Sequence, residues 1–233
     1  MAHPTLVAIL LVVIVVHCLT VLSTLDVTYV HAADEDPLQD FCVAEANNMQ
    51  VTLNGFICKP AGEVQSSDFA SQLLREPRNL NQALGVAVNL ASAANFPALN
   101  TQGLSIARID FQPKGLNPPH VHPRATEVLF LAKGVLVVGF VSTTGNTLFQ
   151  QTLQEGDLFV FPRGLSHFQL NPDSRKPALG ISALNSQNPG VSQLAAALFA
   201  AQPPLPDEVL QIALGIDDQH EIDRIIAGVA TTV

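Results

Sequence analysis

Residues 120–127 read HVHPRATE: two histidines one residue apart, then a glutamate five positions after the second. On a β-strand side chains alternate between faces, so His120 and His122 point the same way. Asn117-Pro118-Pro119 stiffens the entry to that strand. Glu127 opens the apolar run Val128-Leu129-Phe130-Leu131-Ala132, which turns at Lys133-Gly134 and returns as Val135 to Val141. A carboxylate aimed inward beside such a run is costly unless it is paired or bound to a cation. Taken alone, His-x-His is a weak signal, because a histidine pair on a strand also occurs on surfaces and in satisfied cores.

A second segment changes the weight of the first. Residues 156–171, GDLFVFPRGLSHFQLN, read as a strand, a Pro-led turn with Gly at the right offset, and another strand carrying His167. Of seven histidines, His3, His17 and His31 lie near the amino terminus, so four remain beyond it and three of those fall in these two segments. The fourth, His220, sits in a helical pattern and reads as an ordinary polar position. From Val86 to Leu184 short runs of branched and aromatic residues recur between turn signals such as Lys114-Gly115, Thr144-Gly145-Asn146 and Asn171-Pro172-Asp173. Strands at that spacing predict an antiparallel all-β sandwich or barrel.

The flanks differ from this middle. Leu6 to Val16 is almost unbroken Leu, Val, Ile and Ala, and the run reaches Val30-His31-Ala32 before Ala33, which reads as a secretory signal peptide over residues 1–32. A membrane anchor is the competing reading, but a spanning helix needs about 20 mostly apolar residues, and His17, Cys18, Thr20, Ser23, Thr24 and Asp26 interrupt this one. No other stretch could span a bilayer. Removing the leader takes away one charge, Asp26, and leaves 11 basic and 19 acidic residues, a formal charge of −8. Such a chain has no basic patch with which to neutralise phosphates, which argues against a nucleic-acid partner.

Leader removal also leaves two cysteines, Cys42 and Cys58. In an oxidising compartment they most economically pair with each other, closing a loop worth about 3 kcal/mol in the chain-entropy model; two buried free thiols are the alternative. Residues 33–62 form an N-terminal arm of turn formers and short alternating segments. Residues 63–190 hold the β-barrel domain, with a short helix expected near its start, at Phe69 to Leu74. Residues 191–233 form a helical tail, with apolar residues at helical spacing over Val191 to Phe199, Asp207 to Leu214 and His220 to Gly228. Ile212, Ile216, Ile222, Ile225 and Ile226 are expected to make one apolar surface, covering either its own domain or a neighbouring subunit. No Asn-x-Ser/Thr acceptor occurs, so N-glycosylation is not expected.

The two histidine segments together resemble the cupins, and within them the germins and germin-like proteins of plants. The first motif reads HVHPRATEVLFLAKG; the second runs Gly156, Pro162, Gly164, His167, Asn171. The family expects a glycine six residues before the first histidine, where this chain has Lys114 followed by Gly115. Asp36 to Ala44, Asn54-Gly55, Cys58-Lys59-Pro60 and Asn185 to Gly190 extend the likeness over nearly the whole chain beyond the leader. The resemblance implies a cupin β-barrel (jelly roll) with a helical carboxyl-terminal tail. It also implies a Cys42 to Cys58 disulfide, a homohexamer built as a trimer of dimers with the tails clasping neighbours, and secretion to the apoplast and cell wall. It further implies one manganese ion held by His120, His122, Glu127 and His167. Donor chemistry alone is less selective: three imidazoles and a carboxylate also suit zinc, iron, copper or nickel.

The resemblance points to two activities, and a third, non-catalytic class of function stays open beside them. Germins oxidise oxalate to carbon dioxide and hydrogen peroxide, many germin-like proteins dismutate superoxide, and a metal-loaded barrel could also serve as a wall-associated binding or storage protein. The family places two asparagines near the metal. Asn100-Thr101-Gln102-Gly103 matches the first, which makes Asn100 a candidate group close to the ion, with a turn-capping role as the alternative. The second position is Ala107, ahead of Arg108-Ile109-Asp110-Phe111. Alanine cannot donate to a dicarboxylate, and one lost hydrogen bond to a charged group costs about 1.5–3 kcal/mol, so superoxide dismutation ranks ahead of oxalate oxidation. The substrate is then a small anionic or oxygen-derived species, and no catalytic side chain is expected beyond the ligands.

Overall fold

The structure is a computed structural model that describes residues 55–56, 61–77 and 80–232. The expected leader and both cysteines Cys42 and Cys58 lie outside the described residues. Among the described residues ten strands follow in chain order: β1 (Val86–Ala91), β2 (Ser105–Phe111), β3 (Leu116–Val121), β4 (Glu127–Lys133), β5 (Leu136–Val141), β6 (Leu148–Leu153), β7 (Leu158–Phe161), β8 (His167–Leu170), β9 (Ala178–Leu184) and β10 (Ser192–Gln193). They form two five-stranded sheets, ordered β1-β2-β9-β4-β7 and β10-β3-β8-β5-β6, with antiparallel ladders throughout. The all-β barrel expected from the sequence is thus the observed fold.

Alternation builds the interior. Along β4 the residues Glu127, Leu129 and Leu131 are buried while Val128 and Phe130 face outward. β2 contributes Ala107, Ile109 and Phe111 to the same interior, and β5 contributes Leu136 and Val138 from the opposite sheet. Burying each large apolar side chain contributes on the order of 1.5–3 kcal/mol, and the polar inward positions must be held against that background. Gly180 permits the tightest of these contacts, since a Cβ there would lie 2.7 Å from Leu129 Cδ1.

The departure at Lys114 has a conformational meaning. Its φ is 62°, the left-handed region that glycine occupies without strain. The chain therefore keeps the turn geometry that the resemblance assigns to a glycine while placing a lysine there. Its amide donates to Asp173 O at 2.9 Å and its Nζ donates to Pro172 O, which ties the turn down.

Two expectations need correction. The short helix near Phe69 to Leu74 is absent; 3₁₀ turns occupy Ala61–Glu63 and Ser66–Phe69 instead. The Gln65 amide donates to Asp68 Oδ2 and caps the start of the second turn, while the Leu73 amide donates to Ser71 Oγ, so a short polar side chain takes an amide that a continuing helix would use. The tail forms α1 (Leu194–Phe199), α2 (Asp207–Leu214) and α3 (Gln219–Ala230), close to the expected spans. Its isoleucines do not share one surface, however. Ile222 is fully buried whereas Ile212 is 76% exposed, because Gly215 (φ 65°) ends α2 and turns the chain before α3 begins at the Asp218 cap. Among the described residues no helix is long and apolar enough to cross a membrane.

Candidate metal centre

His120, His122, Glu127 and His167 come together inside the barrel, all four buried, each offering one donor atom within 4.8 Å of the others. His120 on β3 pairs directly across the ladder with His167 on β8, and their ring centroids lie 4.1 Å apart. Glu127 faces them from the other sheet. The β7–β8 turn is locked to this cluster: the Gly164 amide donates to His122 O at 3.0 Å, and φ 72° at Gly164 suits the residue with no Cβ. Phe161 stacks on the His167 ring at 4.5 Å and fixes its plane.

The entry to β3 contains the local irregularity that shapes the site. Asn117 pairs with Gln169 and His120 with His167, so three steps on β3 match two on β8, a bulge at Pro118-Pro119. Without it Asn117 and His120 would face opposite sides; with it both point inward and are buried. Asn117 Nδ2 donates to Gln169 Oε1 at 2.7 Å, and Gln169 Nε2 lies 3.4 Å from Glu127 Oε1. Ser182, from β9, donates its hydroxyl to the same Oε1 at 2.6 Å.

Backbone carbonyls set the tautomers. The Nδ1 atoms of His120, His122 and His167 lie 2.8, 2.7 and 2.8 Å from the carbonyl oxygens of Pro118, Gly190 and Leu165. A carbonyl only accepts, so each Nδ1 carries the proton and each Nε2 turns to the shared centre. Glu127 Oε2 sits 2.9 Å from His122 Nε2 and 3.4 Å from His167 Nε2. Burial, reinforced by His167, pushes the His120 pKa down from 6.5 to about 4. Burial also opposes charge on His122, but the hydrogen bond and charge of Glu127 outweigh it and the net direction is up. For Glu127 burial works against ionisation, yet His122 and His167 together hold the carboxyl well below the usual carboxylate range.

The donor set fits a cation. His167 Nε2 is buried and makes no hydrogen bond among the described residues, an orphan that a metal ion at the convergence point would satisfy. Without an ion, Glu127 Oε2 is faced by His122 Nε2 at 2.9 Å; a bound cation would compete with a proton for that position. Beside the cluster lies a cavity of about 270 Å³. Its far wall is apolar, made by Val88, Leu90, Ala107, Ile109, Leu184 and Val191, and Asn117, Ser182 and Gln193 add polar groups. Among the described residues neither Lys nor Arg lines it.

The candidates named from sequence separate here. The four ligand candidates converge and Ala107 lines the cavity, but Asn100 does not. Its side chain clasps the arm instead, accepting from the Phe56 amide at 3.0 Å and donating to Phe56 O at 2.9 Å. The asparagine beside the cluster is Asn117. Sequence reasoning missed Asn117, Gln169 and Ser182. Two prolines inside a strand were the available sign of the bulge, and period-2 alternation from His167 would have found Gln169.

A two-sheet barrel that gathers three histidines and a glutamate on its inner walls is a cupin, and the cupin family pattern matches residues 72–222. The chain belongs to the germin-like proteins of that superfamily. It is 50% identical to germin-like protein 8-2 of Oryza sativa subsp. japonica over 188 residues, 80% of this chain and 85% of that one. It is 50% identical over 194 residues to germin-like protein subfamily 2 member 4 of Arabidopsis thaliana, covering 83% and 87% of the two chains. Among solved structures, a recombinant oxalate oxidase in complex with glycolate superposes with a TM-score of 0.75 at 40% identity, covering 86% of this chain and 100% of that one.

Proposed function

We propose that this chain is a secreted germin-like protein of the plant apoplast that binds manganese through His120, His122, Glu127 and His167 and removes superoxide. The observation that carries the reading is the convergence of three Nε2 donors and one carboxylate oxygen beside a small cavity that no Lys or Arg lines among the described residues. Bound manganese would supply one-electron transfer, so that two superoxide ions and two protons give dioxygen and hydrogen peroxide. Zinc, being redox-inert, could not serve. The protein's part is to hold the imidazoles in one tautomer through the Pro118, Gly190 and Leu165 carbonyls and to present Glu127 ionised. The cavity volume of about 270 Å³ limits what approaches to small species. Protons come from solvent at the cavity mouth, since among the described residues Glu127 is the only carboxyl on the wall.

A further compositional fact supports oxidant chemistry. Cys and Met, the side chains on the protein oxidation ladder, are absent from Lys59 to Val233.

Oxalate oxidation is the second reading, favoured by the 40% identity to the glycolate-bound oxalate oxidase and by the inward Asn117. Ala107 weighs against it, because it leaves that stretch of wall without a donor. A non-catalytic binding or storage role is the third. In all three the protein self-associates, as a hexamer in the first reading, with exposed Leu198, Val209 and Ile212 of the tail available to a neighbour. Metal analysis of the purified protein, then superoxide and oxalate assays before and after chelation, separates them. Stoichiometric manganese with chelator-sensitive superoxide removal supports the first reading. Oxalate-dependent peroxide overturns it in favour of the second, and metal without either activity favours the third.

A further inference from the structure

The two oxygens of Glu127 keep different company. Oε2 faces His122 Nε2 at 2.9 Å and His167 Nε2 at 3.4 Å, which is the side on which a cation would sit. Oε1 is turned away and accepts from Ser182 Oγ at 2.6 Å, with Gln169 Nε2 behind it at 3.4 Å. Ser182 is 1% exposed and stands on β9 between Ala107 of β2 and Leu129 of β4. Among the inward positions of β9, occupied by Ala178, Gly180, Ser182 and Leu184, it alone carries a polar side chain. A hydroxyl in that place costs desolvation unless it is hydrogen-bonded, and Glu127 is the partner that satisfies it.

A carboxylate can bind an ion through one oxygen or two. For Oε1 to swing inward as a second ligand, it must leave a short hydrogen bond from a buried hydroxyl to a charged acceptor, a bond about twice as strong as its neutral counterpart. We propose that Ser182 is a positioning residue that holds Glu127 as a one-oxygen ligand and so keeps coordination positions open toward the cavity. This rests on the reading that the cluster binds manganese. Ser182 also lines the cavity, so the residue that restrains the ligand borders the space it keeps free.

The test uses the full chain loaded with manganese(II) and compares wild type, Ser182→Ala and Ser182→Thr by bound-metal content and by water-proton relaxation, which counts exchangeable waters on the ion. Threonine keeps the hydroxyl, suits a strand and has the small Ala107 opposite to accommodate its methyl. Wild type and Ser182→Thr should show equal relaxation enhancement. On a six-coordinate ion four protein ligands leave two open positions, so Ser182→Ala should keep its manganese but show the enhancement reduced to about half, as Oε1 fills one of them. Unchanged relaxation in Ser182→Ala overturns the proposal. So does loss of the metal from Ser182→Ala alone, since the hydroxyl would then govern affinity and not the open positions. If wild type takes up no manganese, the metal reading itself fails and this proposal falls with it.

Discussion

Replacing Glu127 by glutamine separates the carboxylate's role as a ligand from any role in holding the fold. Gln169 Oε1 accepts from Asn117, so its Nε2 is the group aimed at Oε1 of residue 127. A carboxamide at 127 must then put its oxygen toward Ser182 and Gln169 and its NH₂ toward the histidines. With the carboxylate gone His122 is neutral, and the imidazole Nε2 lone pairs accept from that NH₂. The metal-free Glu127→Gln protein therefore keeps its hydrogen bonds and should fall within about 1 kcal/mol of metal-free wild type. The same orientation points two N–H groups at the cation position, and binding is lost. For wild type, manganese at 100 times its Kd should stabilise by about 2.7 kcal/mol. For a domain of 150–250 residues that is roughly 5–11 °C in Tm, at about 2–4 °C per kcal/mol. The assay is calorimetric Tm at fixed protein concentration, chelated and manganese-saturated. A manganese-induced rise retained in Glu127→Gln would refute Glu127 as a ligand. A fall of several kcal/mol in the chelated variant would show that the carboxylate is needed by the fold itself.

Four further outcomes are expected. In chelated protein the buried His120, with its pKa pushed from 6.5 down to about 4, binds its proton later than the unfolded chain does, so stability is lost as pH falls through that window, by up to about 3 kcal/mol; a Tm flat from pH 6.5 to 4 refutes this. Ala107→Asn, by adding one donor to a charged ligand worth about 1.5–3 kcal/mol, should strengthen oxalate binding to the manganese-loaded protein about tenfold or more, measured by calorimetric titration. Asn100→Ala breaks both hydrogen bonds to the Phe56 backbone and should speed proteolysis of the arm while leaving metal content unchanged, as limited digestion and elemental analysis would reveal. Leu129→Ala, at a fully buried position between the sheets, should cost about 2–5 kcal/mol in denaturant unfolding.

Much of this protein is determined locally and was legible as sequence. Strand alternation and turn chemistry act over a few residues, so the barrel between Val86 and Leu184 and the α2 span could be read from neighbours alone. The four ligand candidates were legible because their residue types are scarce and their spacings regular in two short segments. Three features were decided only by the tertiary structure. The Pro118-Pro119 bulge reverses the facing of Asn117, which simple alternation from His120 turns outward. Asn100, close to the family pattern in sequence, is drawn to the Phe56 backbone on the arm. Ser182 lies 55 positions from Glu127, and its hydroxyl acquires meaning only when β9 pairs with β4. Local rules state which way a side chain can point; which oxygen of Glu127 stays free for a cation depends on groups that folding brings within 3 Å, and no spacing along the chain encodes that distance.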